Sequence, residues 1–435
     1  MFFVYSFLLT IGFIVLLPRF IFDTVRKGKY AAGFWQRLGF LPEFIQNEKA
    51  VLWIHCVSVG ETNAARALVS EITKNFPQFR LVVSTTTKTG QKLAREVFAN
   101  EADFIFYFPF DWQFSVRRVL KIIKPSVVLL METELWFNFL REAGTSGAKI
   151  ALVNGRLSKR SAARYLYFGK FIRRVLSFVD LALMQADADA KRLVQLGVNA
   201  QKIKVTGNIK FDQKFEEAEN NLTRELGQRF AISKDTSLII AASTHAPEEK
   251  WILEAFRDVR QNLKENPPRL LIAPRHPERF EEVAKLSQEA GFEISRRSQK
   301  ISERDFLAEV IILDSIGELR AAYHLAEIVF VGGSLIPHGG QSFLEPALAR
   351  KVIVTGFYTM NFEAATKEFL VENALVQMPQ LDENEISGKL CETFLDLLQD
   401  TKTRQKLAEN AFAVMEKNRG ATAKTVEQLK ALLKN

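Results

Sequence analysis

The sequence predicts two α/β domains, each a doubly wound parallel sheet, in one chain of 435 residues. Three observations lead there. From residue 51 onward short apolar runs alternate with helix-like stretches, the pattern of repeated βαβ units. That alternation is broken once, by the polar stretch Phe211 to Glu225 (FDQKFEEAENNLTRE), and then begins again. The length also exceeds one ordinary core, at roughly 100–200 residues per domain, so two domains are expected.

Taken in order, Met1 to Leu17 (MFFVYSFLLTIGFIVLL) carries no charge, and Pro18, Arg19, Arg26, Lys27 and Lys29 follow closely. A bilayer span needs about 20 apolar residues, so this stretch is at the short end for crossing and is also able to dip in. Neither a charge before the run nor a small-residue cleavage site after it is present, which predicts an uncleaved membrane anchor over residues 1–22. The basic residues on its C-terminal side keep the remaining chain on the cytoplasmic side by the positive-inside rule. Removal of 1–22 is then expected to release the protein from membranes with its chemistry intact. Phe20, Ile21, Phe22, Phe34, Trp35 and Phe40, interleaved with basic residues, predict an interfacial segment.

The first domain, 23–210, has expected strands at 51–59, 80–87, 126–132, 149–155, 181–186 and 202–208. In such sheets ligands sit beyond the carboxyl ends of the strands, where Ser58, Glu61, Thr85 to Lys88, Glu132 and Asn154 fall. The second domain, 211–435, has expected strands at 237–244, 269–275, 310–315, 328–334 and 351–356, and a cleft is expected between the two domains. The charged helical stretch from about Thr401 to Leu433 is placed to pack back across the junction.

Composition narrows the function. Hydrophobic residues at 47% and charged residues at 25% describe a folded chain without a low-complexity tail. Cys56 and Cys391 stand far apart, and no Cys/His spacing fits a structural zinc site, so a reduced, cytoplasmic setting is expected. A net charge of +9 implies an anionic partner: nucleic acid, a phospholipid surface or a phosphorylated substrate. Residues 156–174 concentrate Arg156, Lys159, Arg160, Arg164, Lys170, Arg173 and Arg174 without a single acid, which is either a solvated helix face or the surface that meets this anion.

Glycine-rich turns after strands are common phosphate cradles because they let backbone N–H groups approach an anion, although a single Gly-Gly pair is more often only a tight turn. The segment 328–347 (IVFVGGSLIPHGGQSFLEPA) offers Gly332-Gly333-Ser334 and Gly339-Gly340-Gln341-Ser342, the second leading into a helix through Glu345, whose carboxylate suits ribose hydroxyls or a helix start. Neither pair has the Walker or the dinucleotide spacing, which disfavours ATP hydrolysis and hydride transfer. Arg275 and His276 follow a strand in PRHPER; Arg275 suits a phosphate or base edge, or equally a local salt bridge. Glu61 in SVGET and Glu132 and Glu134 in METELW are carboxylates at strand ends, as a base that deprotonates a hydroxyl requires, or are ordinary polar residues there. Lys210 in GNIKFD is suited to charge on a leaving phosphate, or is simply solvated.

Taken together the segments GKYAAGFWQRLGF (28–40), WIHCVSVGETNAA (53–65), STTTKTG (84–90), METELWFN (131–138), NGRLSKRSA (154–162), TGNIKFD (206–212), ASTH (242–245), APRHPERF (273–280) and VGGSLIPHGGQSFLEPA (331–347) resemble the Kdo transferases of lipopolysaccharide synthesis over almost the whole chain. The resemblance implies the GT-B fold, two Rossmann-like domains facing a cleft. It implies inverting transfer of 3-deoxy-D-manno-octulosonic acid (Kdo) from CMP-Kdo to a lipid A precursor (lipid IVA), at the cytoplasmic leaflet of the inner membrane, without a divalent metal or other cofactor. It makes Glu61 the catalytic base and Glu132 and Lys210 stabilisers of the transition state. CMP is assigned to Pro274 and Arg275, to Ile316, Gly317 and Glu318, and to Ser342, Phe343, Leu344 and Glu345. Arg156, Arg160 and Arg164 are expected to meet the acceptor or the membrane.

Three positions depart from the family pattern: Gln36 where many members carry Glu, Ser342 where Asn is common, and Phe357 where Pro is frequent. Gln36 is therefore given no catalytic role. The competing readings are a GT-B transferase that uses a UDP-sugar, against which the GRLS and PRHPER segments argue, and a membrane-attached protein that binds an anionic ligand through the basic run. The latter leaves Glu61 and the glycine turns idle.

Overall fold

The computed structural model describes residues 1–27, 33–214, 217–233 and 236–433. Lys29, Phe215 and Glu216 lie outside the described residues, as do the side chains of Arg19, Phe20, Ile21, Phe22, Arg26 and Lys27. The chain forms two compact units, Met1–Asp212 with Asn418–Asn435, and Gln213–Lys417.

In the first unit β1 (Ala50–Cys56), β2 (Phe79–Thr85), β3 (Phe104–Tyr107), β4 (Val127–Met131), β5 (Lys149–Gly155), β6 (Leu181–Met184) and β7 (Ile203–Val205) form a parallel sheet in the order β3-β2-β1-β4-β5-β6-β7. Its strands are buried on both faces, which is why they read as continuous apolar runs. Trp53, Val128, Leu130 and Leu152 enter one core, while Leu52, Ile54, Leu129 and Val153 enter the other. This alternation places consecutive side chains on opposite faces of the sheet.

The second unit repeats the design with β8 (Leu238–Thr244), β9 (Arg269–Pro274), β10 (Ile294–Arg296), β11 (Val310–Ile312), β12 (Ile328–Val331), β13 (Val352–Thr355) and β14 (Val376–Gln377), in the order β10-β11-β9-β8-β12-β13-β14. Each sheet reverses direction at its first strand, β1 between β2 and β4, and β8 between β9 and β12. The loops beyond those switch points are where an α/β sheet offers a ligand crevice.

The two chain ends stand differently against expectation. The closing helix Ala421–Leu433 belongs to the first unit, where Ala421, Val426, Leu429 and Leu433 join a core with Ala65, Leu68 and Ile72. Asp212 fixes its start, because its carboxylate accepts the N–H groups of Gly420 and Thr422.

The helix Phe2–Lys27 is where the structure departs from expectation. Among the described residues no helix is long and apolar enough to cross a membrane. The charge-free run stops at Leu17, and Pro18 and Arg19 follow. Nor does the helix lie outside the first unit. Tyr5 donates to Asp111 at 2.8 Å, Asn138 Nδ2 donates to Ser6 Oγ at 2.9 Å, Phe2 packs edge-on against Phe171, and Phe13 packs against Phe110 and Trp112. Deleting 1–22 would strip this face and leave buried Asp111 without its tyrosine, so the expectation of an intact truncated enzyme is withdrawn. The opposite face stays apolar and exposed through Phe3, Val4, Phe7, Leu8, Ile14 and Val15.

Candidate functional site

In the first unit, β1 runs into Val57 and Ser58, and the helix Val59–Asn75 starts with Glu61 in its first turn. Glu61 reaches back: one carboxylate oxygen accepts the Val57 N–H at 2.8 Å, and the other accepts the Ser58 hydroxyl at 3.1 Å. The residue is only 7% exposed. Burial, and then the negative charge of Glu132, push its carboxyl up to about 8, against the opposing hydrogen bond from Val57. A helix N-terminus ordinarily favours a carboxylate, and here desolvation outweighs it.

Glu132 follows β4 directly, and its backbone takes the left-handed conformation at φ 55, which is uncommon for a residue with a side chain. Its carboxylate accepts from Lys210 Nζ at 2.6 Å. Lys210 stands on the short turn Ile209–Asp212. That turn is held by buried Asn154, itself left-handed at the end of β5, whose Oδ1 accepts the Ile209 N–H at 3.1 Å. Glu134 completes the group, its carboxyl raised by burial and then by Glu132. The three residues assigned to catalysis therefore share one strand-end region of one unit, with a single ion pair beside an acid kept largely protonated at neutral pH.

The basic run is anchored at this same place, because Arg156 N–H donates to Thr133 Oγ1 at 2.9 Å. Its two helices, Lys159–Tyr167 and Gly169–Leu176, carry Arg160, Arg164, Lys170, Arg173 and Arg174 exposed, with Leu166, Tyr167 and Phe168 exposed between them. Gln36, in contrast, is structural, its side-chain oxygen accepting the Tyr107 N–H at 3.0 Å.

In the second unit, Pro274 ends β9 and Arg275 follows it exposed. Ile316 is 63% exposed and Gly317 is left-handed at φ 93. Glu318 is engaged, accepting both Nε and Nη2 of Arg297 at 2.7 and 2.9 Å and the Ser315 hydroxyl at 2.6 Å. Phe343 and Leu344 are core side chains, 1% exposed each, so only their backbone is available to a nucleotide. Ser342 is half-buried, and half-buried Glu345 lies 4.0 Å from Arg320.

The turn Gly332-Gly333-Ser334 is not an open phosphate cradle. Fully buried Glu248 accepts the N–H groups of Gly333, Ser334 and Leu335 at 2.7, 3.0 and 3.0 Å, and that of His245 at 2.9 Å. An internal carboxylate therefore fills the position an anion would take. The second pair folds back on the first, with Gly340 N–H donating to Gly333 C=O at 2.7 Å and Gln341 N–H to Gly332 C=O at 3.1 Å. Glu248 escaped the sequence reading, which gave the APEEK stretch no role; a glutamate opening a helix after a strand looks like an ordinary helix-start charge.

Comparison with known proteins is consistent along the chain. The family model described as 3-Deoxy-D-manno-octulosonic-acid transferase (kdotransferase) matches residues 32–213. The 3-deoxy-D-manno-octulosonic acid transferase of Haemophilus influenzae is 33% identical over 412 residues, 94% of this chain and 93% of that protein. The enzyme of the same name from Chlamydia trachomatis is 29% identical over 98% of this chain and 96% of its own length. Among solved structures, the UDP-GlcNAc 2-epimerase of Neisseria meningitidis aligns with a TM-score of 0.59 at 14% identity, over 89% of this chain and all of its own, a likeness of fold alone. With one residue in three shared with the Haemophilus enzyme along nearly the full length of both, this chain belongs to the 3-deoxy-D-manno-octulosonic acid transferase family of glycosyltransferases.

Proposed function

We propose that the protein transfers Kdo from CMP-Kdo to a hydroxyl of a lipid A precursor, with inversion, and that Glu61 is the general base. The observation that carries the reading is the buried Glu61 carboxyl beside the Glu132–Lys210 pair. Glu61 takes the acceptor's hydroxyl proton as the oxygen attacks the anomeric carbon. The bond from that carbon to the CMP phosphate oxygen breaks, and CMP leaves with the electron pair. A hydroxyl is a weak nucleophile near neutral pH, and a base raised to about 8 is better matched to its proton than an ordinary carboxylate. Glu132 favours the positive charge that develops on the sugar, and Lys210 favours the negative charge on the leaving phosphate. The CMP moiety is assigned to the second unit, at Pro274, Arg275, the backbone of 316–318 and the segment Ser342 to Glu345. No divalent metal enters these steps, so EDTA should leave the rate unchanged.

The acceptor is a phosphorylated lipid, and the exposed arginines of 156–164 supply its counter-charge. The apolar face made by Phe3, Val4, Phe7, Leu8, Ile14 and Val15, with Tyr167 at 90% exposure and Phe168 nearby in sequence to the arginines, suits a helix lying in the headgroup layer of the inner membrane's cytoplasmic leaflet. Changing Phe3, Phe7, Ile14 and Val15 together to serine should release the protein from anionic vesicles while its activity on detergent-dispersed acceptor persists. Unaltered vesicle binding would reject this face.

The activity itself is tested by incubating purified protein with CMP-Kdo and lipid A precursor and weighing the lipid products by mass spectrometry. Addition of one or more Kdo units is expected. Transfer from a UDP-sugar with none from CMP-Kdo would refute the donor assignment.

A further inference from the structure

Because Glu248 engages the amides of the first glycine turn, the charge available at the switch point of the second sheet comes from side chains. Three of the chain's five histidines meet there. His245 follows β8, His276 follows β9 and His338 lies between the two glycine pairs. The His245 ring stands 5.3 Å from that of His276 and 4.2 Å from that of His338, centroid to centroid. Gly333 makes room for them, since a Cβ there would come within 3.3 Å of both His245 and His338.

The groups facing His245 are nearly all cationic or able to become so. Arg275 is exposed beside it, and Arg279 lies further along the same loop, already paired with Glu249 at 2.5 Å and Glu282 at 2.9 Å. The nearest carboxylate, Glu248, is turned onto four backbone amides. Gln341 adds its amide nitrogen 3.2 Å from His245 Nε2. Burial, and then His338, His276, Arg275 and Arg279, push the His245 ring down to about 4, so it is neutral near pH 7. An anion would reverse that balance and draw a proton with it. Among the described residues no group of three or more His, Cys, Asp or Glu side chains is arranged to hold a metal ion.

We propose that His245, His276 and His338, together with Arg275, bind an anionic group of the nucleotide-sugar donor. The proposal rests on the donor assignment above and extends it to residues outside the nucleotide segments. The anion is either the phosphate or the sugar carboxylate, and the experiment separates them.

Full-length protein carrying ¹³C-labelled histidine rings is titrated at pH 7 with inorganic phosphate, cytidine, CMP and CMP-Kdo. The ring signal of His55, buried in the first unit against Phe108, serves as the reference. Phosphate and CMP should move the His245 signal toward its protonated position and perturb the His276 and His338 signals, and cytidine should not. The exposed His338→Asn variant should bind CMP at least fivefold more weakly and cytidine unchanged. A response to CMP-Kdo alone assigns the anion to the sugar carboxylate. A response to phosphate but to neither CMP nor CMP-Kdo supports the anion site and defeats the donor assignment. Signals unmoved by every anion, moved equally by cytidine, or a His338→Asn variant that binds each anion as tightly as the wild type, would overturn the proposal.

Discussion

The first unit gathers acids around one lysine, Glu61, Glu132 and Glu134 with Lys210, whereas the second gathers imidazoles and guanidinium groups, His245, His276 and His338 with Arg275. Both lie beyond the switch point of a seven-stranded parallel sheet. In each, burial and like charge act together on the central group: Glu61 is raised to about 8 and His245 is lowered to about 4. Near pH 7 both groups are thereby held mostly neutral, one ready to keep a proton and the other without one. The same fold therefore supplies opposite chemistry according to the side chains at its strand ends, a proton acceptor where acids crowd and an anion receptor where bases crowd.

The largest effect expected is from Glu61→Gln. The amide keeps the size and cannot take the acceptor proton, so turnover should fall about 10²–10⁴-fold. CMP affinity, measured by calorimetry, should stay near wild type because the nucleotide is assigned to the other unit. A parallel loss of both would break the division of labour. Lys210→Met removes the cation that faces Glu132 at 2.6 Å. It should lower turnover about 10²-fold, the scale of losing one electrostatic stabiliser, and steady-state kinetics at saturating acceptor will read it. A smaller change is expected from reversing Arg160 and Arg164 to Glu. At about 1 kcal/mol per basic residue near an anionic surface, the acceptor KM should rise about tenfold or more while the CMP-Kdo KM holds. Equal rises in both would place the basic run outside acceptor binding.

The sheets were legible in the sequence because strands buried on both faces read as unbroken apolar runs, as VVLLM of β4 does. The strands that were missed, β3, β10 and β14, have four, three and two residues. Predicted strands also ran too far at their carboxyl ends: the run 51–59 stops at Cys56, because Val59 already belongs to the helix that carries Glu61. Glu61, Glu132 and Lys210 entered as strand-end and boundary residues and became a catalytic set through the family resemblance. Their juxtaposition depends on Asn154 and on the left-handed backbone at Glu132, and residue type alone announces neither. The glycine turn was legible as a turn, and what fills it was not, since its occupant Glu248 comes from a segment 85 residues away. The N-terminal helix was read from hydropathy alone. Its packed face depends on partners such as Asp111, Asn138 and Phe171, which only the folded chain brings within reach.

The account turns on Glu61 acting as a base whose carboxyl burial and Glu132 hold well above the ordinary range, and the pH dependence of kcat/KM tests this most directly. The active form is the ionised one, so the rate should climb with pH and level off above about 8. Glu134 contributes to the raised value, so Glu134→Gln should move that midpoint to lower pH with little loss of the limiting rate. In Glu61→Gln the climb should vanish, leaving a low rate that is flat across the same range. A climb near pH 8 that survives unchanged in Glu61→Gln, or a wild-type midpoint near 4.5, would contradict the assignment of Glu61 as the base.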